Sequence, residues 1–547
     1  MRQKTSHARP PRPVQKTRGP ARSGDAAVRP IRRVLIANRG EIALRVMRAC
    51  REMGISPVIV YSEADRDSLP VRLADAAFCI GPAPARSSYL DGGAILRAAR
   101  EAGADAIHPG YGFLAENARF AEACESASIT FIGPPPEAMH LAGDKVEARR
   151  LMMKRGVPVI PGLAERAADV AAIASFGRAN GYPIILKAAA GGGGRGMRVV
   201  RAQAELEPAV RAARSEALAS FGDDGIYAEK FLENVRHIEV QILADGHGRA
   251  VHLGERECSV QRRHQKLVEE APSVALRAGD RERIGQAALE VVKACGYRNA
   301  GTIEFLLDAR GQAYFMEVNA RIQVEHPVTE MVTGIDLVRA QIGIARGDAL
   351  EAWRDGLQPR GWAIECRILA EDPVNGFRPS PGRVAALRIP AGPGVRVDTA
   401  LQPGDEISLH YDALIAKLIA WGRDRQEAIA RMRRALDEFL VAGVRTTLPF
   451  DRALMADPDF VAGRLDIGYL ERAMPRLSAV LREPGPQAEV AAIAAAVRAT
   501  EETHRPARSD PAAGPGPWAA AGRRAQMEAR APDRWATPST GAASRRA

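Results

Sequence analysis

Glu304, Glu317 and Asn319 alternate with apolar residues in the segment between Gly301 and Gln323. This segment has the pattern of a β-hairpin. Asp308 to Gly311 has the composition of a turn. If residues 308 and 311 pair, Glu304 faces residue 315 and shares one face with that residue, Glu317 and Asn319. The two carboxylates are then diagonal neighbours, and with the amide oxygen they suit Mg²⁺ bound to nucleotide phosphates. The alternative is a solvated polar face, and a loop of different parity would separate the two glutamates.

A run of four glycines follows a predicted strand and lies within the segment from Lys187 to Met197. Consecutive glycines are unfavourable inside a strand or helix, but they let successive backbone N–H groups point at one anion. The Lys187 amino group, at the end of the strand, is expected to reach the same phosphates. The spacing matches neither a P-loop nor a dinucleotide-binding fingerprint. The alternative is a flexible linker.

Two further segments carry polar side chains suited to binding anions. The segment from Glu257 to Lys266 ends in five residues, four of which are potentially cationic. The segment from His108 to Asn117 is a loop rich in glycine and proline that follows a buried strand, a position where ligands bind α/β sheets. The alternative for the first segment is a solvated basic turn, and the alternative for the second is a structural turn.

The net charge of +11 lies in the terminal segments. Residues 1–30 contain eight Lys or Arg and one Asp, and residues 475–547 contain eleven Arg and seven Asp or Glu. The remaining residues are neutral overall, which argues against a nucleic-acid partner. No apolar run is long enough to span a bilayer, so no membrane association is predicted. Six scattered cysteines without C-x-x-C spacing fit a reducing cytosol and predict a cytoplasmic location.

Predicted elements divide the chain into α/β and α+β parts that position these residues. Residues 1–30 are predicted to be a disordered basic arm, with a misassigned start or a targeting signal as alternatives. Alternating strands and helices predict a parallel α/β domain over 31–143. Asp144 is a predicted helix cap, and longer antiparallel strands predict an α+β domain over 144–345. A third domain is predicted over 360–472, and order is doubtful after Glu471, with a disordered tail over 475–547.

In this order the segments resemble biotin carboxylase, the ATP-grasp component of biotin-dependent carboxylases. The motifs that carry the resemblance are Ala37–Ala43, His108–Leu114, Gly143–Val146, Lys187–Met197, Cys258–Lys266, Glu317–His326 and Glu365–Ile368. The resemblance covers residues 31 to 472. It implies a pre-ATP-grasp domain, an ATP-grasp core with a mobile glycine-rich lid over about 160–232, and a C-terminal biotin carboxylase domain.

The resemblance also implies a role for each matching residue. On the nucleotide side, Lys145 and Lys187 contact ATP phosphates, Gly193 and Gly194 close over them, Glu229, Lys230, Phe231 and Leu232 line the adenine, and His237 and His264 lie near the ribose and the nucleotide. Glu304, Glu317 and Asn319 hold Mg²⁺ or Mn²⁺. On the substrate side, Lys266, Arg321 and the Val324 backbone bind bicarbonate, Glu325 is the general base, and Arg367 stabilises the biotin enolate.

The position of the last lysine bears on where biotin is attached. Biotin is carried on a lysine, and residues 418–547 contain none, because the last lysine is Lys417. We therefore expect biotin on a separate carboxyl carrier protein, a separate carboxyltransferase, and by resemblance a homodimer. The expected final acceptor is acetyl-CoA, with propionyl-CoA and pyruvate as alternatives. The competing hypotheses are another ATP-grasp ligase and an inactive ATP-binding scaffold.

Overall fold

The computed structural model describes residues 30–163, 169–188, 197–350, 359–483, 521, 522 and 524. The predicted basic arm before Pro30, the glycine run with Gly193 and Gly194, and most of the predicted tail lie outside the described residues. The chain divides into two units after Arg482, and all elements below belong to the first unit.

A five-stranded parallel sheet forms the N-terminal domain, which confirms the predicted α/β alternation. The strand order is β3-β2-β1-β4-β5, and helices cover the sheet. Sequence reasoning missed β3, an edge strand whose alternate residues are exposed. The elements are β1 (Arg33–Ile36), α1 (Gly40–Glu52), β2 (Ser56–Ser62), α2 (Leu69–Leu73), β3 (Ala76–Gly81), α3 (Gly92–Glu101), β4 (Ala106–His108), α4 (Ala118–Ser126), β5 (Thr130–Phe131) and α5 (Pro136–Gly143), with short 3-10 helices at Glu63–Asp65 and Ala85–Ser87.

The second part of the chain begins with the helix that Asp144 caps. Its carboxylate accepts hydrogen bonds from the N–H groups of Val146 and Glu147, both at 3.1 Å, which confirms the predicted cap. The elements are α6 (Lys145–Lys154), α7 (Val170–Asn180), β6 (Ile184–Ala188), β7 (Arg198–Val200), a 3-10 helix (Gln203–Glu205), α8 (Leu206–Phe221), β8 (Ile226–Lys230), β9 (Arg236–Ala244), β10 (Ala250–Arg262), β11 (Gln265–Ala271), α9 (Ala278–Cys295), β12 (Asn299–Leu307), β13 (Ala313–Asn319), α10 (His326–Thr333) and α11 (Leu337–Arg346).

The C-terminal part adds strands to the same large sheet. Its elements are β14 (Trp362–Leu369), β15 (Glu371–Asp372), β16 (Arg378–Pro379), β17 (Gly382–Arg383), β18 (Ala386–Arg388), β19 (Val395–Asp398), β20 (Glu406–Ile407), β21 (Leu414–Gly422), α12 (Arg425–Glu438), β22 (Leu440–Ala442), α13 (Leu448–Ala456), α14 (Pro458–Val461) and α15 (Tyr469–Arg482).

An eight-stranded antiparallel sheet joins the second and third parts of the chain. Its order is β13-β12-β9-β10-β11-β14-β21-β19, and β11 pairs with β14 across the predicted boundary. Strands β6, β7 and β8 form a separate three-stranded sheet, which packs with α7 and α8 around its own small core. Catalytic candidates from distant segments therefore lie side by side on one continuous sheet.

The prediction of doubtful order after Glu471 was wrong for the residues up to Arg482. Helix α15 continues to Arg482 and buries Tyr469, Leu470, Ala473 and Leu477 against the C-terminal core. Arg476 pairs with Asp457 through Nε at 2.5 Å. Across the described residues, none of the helices combines the length and apolarity needed to cross a membrane.

Candidate active site

The hairpin β12–β13 brings Glu304 and Glu317 directly opposite each other. The predicted turn was wrong, because Leu307 pairs with Ala313 and the loop has the other parity. A β-bulge between Glu304 and Phe305 offsets this difference by one residue, so both carboxylates return to one face. The two glutamates are therefore cross-strand partners, not the diagonal neighbours that the sequence predicted.

The same bulge moves Phe315 away from the polar face on which it was predicted. Phe315 pairs with Phe305 in the apolar core, where their ring centroids are 6.5 Å apart. Asn319 lies two residues beyond Glu317, opposite Thr302, as expected for a third ligand on the polar face. The hairpin thus has one apolar face and one face with two carboxylates and an amide.

Cations approach all three of the proposed metal ligands. Glu317 accepts a hydrogen bond from Lys145 Nζ at 2.8 Å, and Asn319 Oδ1 accepts one from Arg321 at 3.1 Å. Glu304 lies 3.0 Å from Lys266 Nζ and 3.1 Å from the Nε2 atom of His237. Burial opposes ionisation of Glu304, but the charge of Lys266 and the contact with the His237 ring outweigh burial and lower its pKa. Ionised carboxylates with an amide oxygen are a donor set that fits Mg²⁺ or Mn²⁺.

Lys266 connects this metal-ligand face to Glu325. Its Nζ lies 2.7 Å from Glu325, 3.0 Å from Glu304 and 2.6 Å from Glu239. Burial would lower the pKa of Lys266, but the three carboxylates raise it well above its ordinary value. Lys266 is therefore charged, and it is shared between the two sets of predicted site residues.

Glu325 lies between two cations. Its other oxygen is 2.9 Å from Arg367, which comes from β14 on the adjoining part of the sheet. Burial would raise the pKa of Glu325, but Lys266, Arg367 and Arg256 outweigh it and hold the pKa well below its ordinary value. The carboxyl group is thus ionised at neutral pH, and each of its oxygens is paired with a cation.

Arg321 and Val324 lie in the turn between β13 and α10. Arg321 pairs with Glu116 at 3.0 Å and donates to Gln323 at 2.7 Å. Glu116 belongs to the loop at the carboxyl end of β4, so this loop contacts a residue predicted to bind bicarbonate, and ligand binding by the loop itself stays a prediction. The carbonyl oxygen of Val324 accepts a hydrogen bond from Lys417 at 3.0 Å.

The predicted nucleotide contacts form a second group around β6 and β8. Lys187, opposite Tyr227, lies 2.5 Å from the carboxylate of Glu229, which also pairs with Arg149. Burial would raise the pKa of Glu229, but Lys187 and Arg149 lower it overall. Lys230 ends β8 and donates to the carbonyl of Gly181 at 2.9 Å.

Phe231 and Leu232 follow β8 and are half-buried. His237 Nδ1 lies 2.8 Å from Gln261, which fixes the ring next to Glu304. His264 lies in the tight turn between β10 and β11, where Arg263 and His264 both have positive φ angles. Burial and the charge of Lys187 lower the pKa of His264. The basic segment is therefore the end of a hairpin, and it lies within electrostatic range of Lys187.

Sequence reasoning missed several buried polar residues of this site. Glu239 pairs with Arg256 as well as Lys266, and both Glu239 and Arg256 are fully buried. Glu269 pairs with Arg367 at 2.6 Å. A signal was present in β9, where His237, Glu239 and Gln241 alternate with apolar residues, although both sets are buried. When every second residue of a strand is polar and both faces of the strand are buried, the polar face indicates a buried polar site.

Three family models match consecutive parts of the chain. The model described as "Biotin carboxylase, N-terminal domain" matches residues 30–139. The model "Carbamoyl-phosphate synthase L chain, ATP binding domain" matches residues 144–353. The "Biotin carboxylase C-terminal domain" model matches residues 365–472. These matches together span most of the chain.

Similar proteins and structures agree with the family models. "Biotin carboxylase 1" of Bacillus subtilis is 52% identical over 442 residues, which are 81% of this chain and 98% of that protein. One of the pyruvate carboxylase chains of Methanothermobacter thermautotrophicus is 51% identical over 452 residues, 82% of this chain and 92% of that one. The dimeric biotin carboxylase domain of Hydrogenobacter thermophilus 2-oxoglutarate carboxylase, solved with MgADP, ADP and bicarbonate, is 47% identical with a TM-score of 0.79 and covers 82% of this chain and 98% of that domain.

The matches and the shared architecture of an N-terminal α/β domain, an ATP-grasp core and a C-terminal domain lead to one assignment. The chain belongs to the biotin carboxylase family, the ATP-grasp ligases that carboxylate biotin within biotin-dependent carboxylases.

Proposed function

We propose that this chain uses ATP and bicarbonate to carboxylate biotin held on a separate carrier protein. The observation that carries the proposal is the position of Lys266. Its amino group lies within 3.0 Å of both Glu304, a metal-ligand candidate, and Glu325, the base candidate. A cation at this point is placed to hold a small anion between the base and a metal-bound nucleotide.

The first half of the proposed reaction activates bicarbonate. A divalent ion held by Glu304, Glu317 and Asn319 would neutralise charge on the phosphates of ATP. Lys266, Arg321 and the backbone at Val324 bind bicarbonate, and Glu325 accepts its proton. A bicarbonate oxygen bonds to the γ-phosphorus as the bond from that phosphorus to ADP breaks, which gives carboxyphosphate and ADP.

The low pKa of Glu325 makes it a weak base while both cations contact it. Bicarbonate competes for Lys266, and any loosening of that pair raises the basicity of Glu325 when the proton must move. Binding of the substrate anion and activation of the base are therefore coupled through Lys266.

The second half of the proposed reaction transfers the carboxyl group. Carboxyphosphate breaks into CO₂ and phosphate, and phosphate removes the proton from the biotin ureido nitrogen. Arg367 pairs with the resulting enolate oxygen while the nitrogen bonds to CO₂. Because carboxyphosphate hydrolyses in water, the proposal includes closure of the lid predicted over about 160–232.

The nucleotide contacts belong to the same proposal. Lys145 and Lys187 bind ATP phosphates when their present carboxylate partners are displaced. The segment from Glu229 to Leu232, with Lys230 and Phe231, lines the adenine, and His237 and His264 lie beside the nucleotide. The electrostatic interaction between Lys187 and His264 supports this arrangement, because both residues are proposed to act near the phosphates.

The proposed partners are a biotin carboxyl carrier protein and a carboxyltransferase, and the chain is proposed to form a homodimer. We propose an acyl-CoA carboxylase with acetyl-CoA as the first acceptor to test. Propionyl-CoA and pyruvate are the alternatives, and the similarity to a pyruvate carboxylase chain keeps pyruvate in the screen.

ATP hydrolysis by the purified chain tests the central proposal. We expect ADP release to require bicarbonate and to increase with free biotin. The double variant Arg321→Ala, Glu325→Ala is expected to lose bicarbonate-dependent ADP release. Hydrolysis that does not depend on bicarbonate, or wild-type turnover in the double variant, would contradict the proposal. Capture of partner proteins followed by an acceptor screen then identifies the final substrate.

A further inference from the structure

Two glutamates face each other in the sheet next to the proposed biotin site. The register of β11 and β14 places Glu269 directly opposite Glu365, and both side chains are fully buried. Glu269 accepts a hydrogen bond from Arg367 Nε at 2.6 Å through one oxygen, while its second oxygen has no partner among the described residues. Among the described residues, neither carboxylate oxygen of Glu365 has a hydrogen-bond partner.

Such a pair does not hold two negative charges at low cost. Like charges directly opposite in a sheet repel, and burial removes the water that would stabilise them. The ionisable groups that act electrostatically on the pair are Arg367 from β14, Lys417 from β21, Lys266 from β11, Glu325 from the turn before α10 and Asp451 from α13. Burial is the main reason that the pKa of Glu365 is raised well above its ordinary value and that of Glu269 to about 7.

The contacts indicate which of the two carries the charge. Glu269 touches a guanidinium, whereas Glu365 touches no donor among the described residues, so the proton belongs on Glu365. The paired carboxylate is ionised because a charge-assisted hydrogen bond stabilises its charged form. One negative charge therefore lies at Glu269, against Arg367.

Arg367 is shared by two carboxylates with different chemical roles. Its Nη2 atom lies 2.6 Å from Glu269 and 2.9 Å from Glu325. When Glu325 takes a proton from bicarbonate, it loses its charge and its attraction for Arg367 weakens. Glu269 is then the remaining anion that fixes the guanidinium, at the stage when biotin needs it.

We propose that Glu269 is a positioning residue that holds Arg367 in place for biotin, while Glu365 beside it stays uncharged. This inference rests on the proposed function, because it assumes that Arg367 binds the biotin enolate. The hydrogen bond and ion pair that Glu269 makes go to Arg367, and neither goes to a residue proposed to bind nucleotide, metal or bicarbonate. Its loss should therefore affect the biotin half of the reaction much more strongly than the bicarbonate half, in which Arg367 is only one of the cations around Glu325.

The test compares two partial reactions in Glu269→Gln and in the matched control Glu365→Gln. Bicarbonate-dependent ATP hydrolysis is measured at pH 8 without biotin and then with increasing free biotin. We expect Glu269→Gln to raise the KM for biotin or to lower the biotin-stimulated rate by about tenfold or more, because small displacements of catalytic groups have large effects. Its rate without biotin should stay within about twofold of wild type. Glu365→Gln replaces an uncharged group by an uncharged group and should stay within about twofold in both assays.

Several results would overturn this inference. Equal loss of both partial reactions in Glu269→Gln would show a general structural role, and unchanged biotin kinetics would show no role. If Glu365→Gln is as damaging as Glu269→Gln, the assignment of the negative charge to Glu269 and of the proton to Glu365 is wrong. If Glu269→Gln does not fold, Glu269→Asp, which keeps the charge with a shorter reach, must show the same selective defect in biotin kinetics in milder form. Absence of bicarbonate-dependent hydrolysis in the wild type would instead contradict the proposed function itself.

Discussion

Lys417 Nζ lies 3.0 Å from the backbone carbonyl oxygen of Val324, in the turn that carries the base candidate Glu325. Lys417 comes from β21 in the C-terminal part of the chain and is fully buried. Its second partner is Glu41 of helix α1, at 3.1 Å. One amino group thus ties together the N-terminal domain, the substrate turn and the C-terminal strands.

We expect Lys417→Met to destabilise the protein by about 3–5 kcal/mol, because it leaves the Glu41 carboxylate buried without its cation. Loss of the bond to Val324 should also displace Glu325 and lower turnover. Denaturant unfolding and bicarbonate-dependent ATP hydrolysis measure the two effects. Lys293→Met is the matched control, since Lys293 is exposed and should tolerate the change. Equal stability of the two variants would show that the contacts of Lys417 with Val324 and Glu41 do not stabilise the fold.

Glu317→Gln tests the metal assignment. The substitution keeps the shape of the side chain but removes the charge that binds a divalent ion and that now pairs with Lys145. We expect ATP hydrolysis to fall by at least about tenfold and the Mg²⁺ concentration needed for half-maximal rate to rise. Titration of the rate with Mg²⁺ checks both. Glu290→Gln, at a partly exposed position on α9, should behave as the wild type. Unchanged Mg²⁺ dependence in Glu317→Gln would remove Glu317 from the site.

The hairpin shows how far the sequence could predict this site. Alternation of polar and apolar residues correctly brought Glu304 and Glu317 to one face, but the predicted loop had the wrong parity. The correct face survived because a β-bulge adds one residue to the register. A bulge depends on how the strand packs, which a single sequence does not show. The predicted shared face of the two glutamates was right, although the predicted turn was wrong.

The contacts around Lys266 were less accessible to sequence reasoning. The motifs supplied Lys266, Glu325 and Arg367, whose spacing along the chain gives no distances. The pairing of β11 with β14 brings Arg367 beside Glu325 and also adds Glu269, which no motif suggested. Such long-range strand pairing is decided by the tertiary structure, so it cannot be predicted from local sequence patterns. The extension of α15 was missed for a related reason, because its stability depends on contacts with a distant core.

Asp457 provides a test of that missed helix through pH. Burial opposes its ionisation, but Arg476 and the N–H group of Phe460 lower its pKa to about 2. Since the folded pKa lies below the unfolded value, this carboxylate stabilises the fold above about pH 4 and loses its effect as pH falls toward 2. We expect Asp457→Asn to cost about 1 kcal/mol at pH 7, after allowance for solvent screening, and less at pH 2.5. Denaturant unfolding at the two pH values measures this difference.

The control for that experiment is Asp437→Asn, because the Asp437 side chain is mostly exposed. Its stability should follow the wild type at both pH values. If Asp457→Asn shows the same loss at pH 2.5 as at pH 7, the ion pair with Arg476 does not hold α15 in place.

Glu239 is the residue missed by sequence reasoning whose change we expect to be most damaging. It is fully buried and pairs with both Arg256 and Lys266. Glu239→Gln leaves the buried guanidinium of Arg256 without its carboxylate, so we expect a loss of about 3–5 kcal/mol in unfolding free energy. It also removes one of three anions from Lys266, which should then bind Glu325 more tightly and release it less readily to bicarbonate. We therefore expect a higher KM for bicarbonate in the fraction that folds, measured by ATP hydrolysis near 10 °C, where a weakened fold is better retained. A variant with wild-type stability and bicarbonate kinetics would show that Glu239 neither balances Arg256 nor sets the charge state around Lys266.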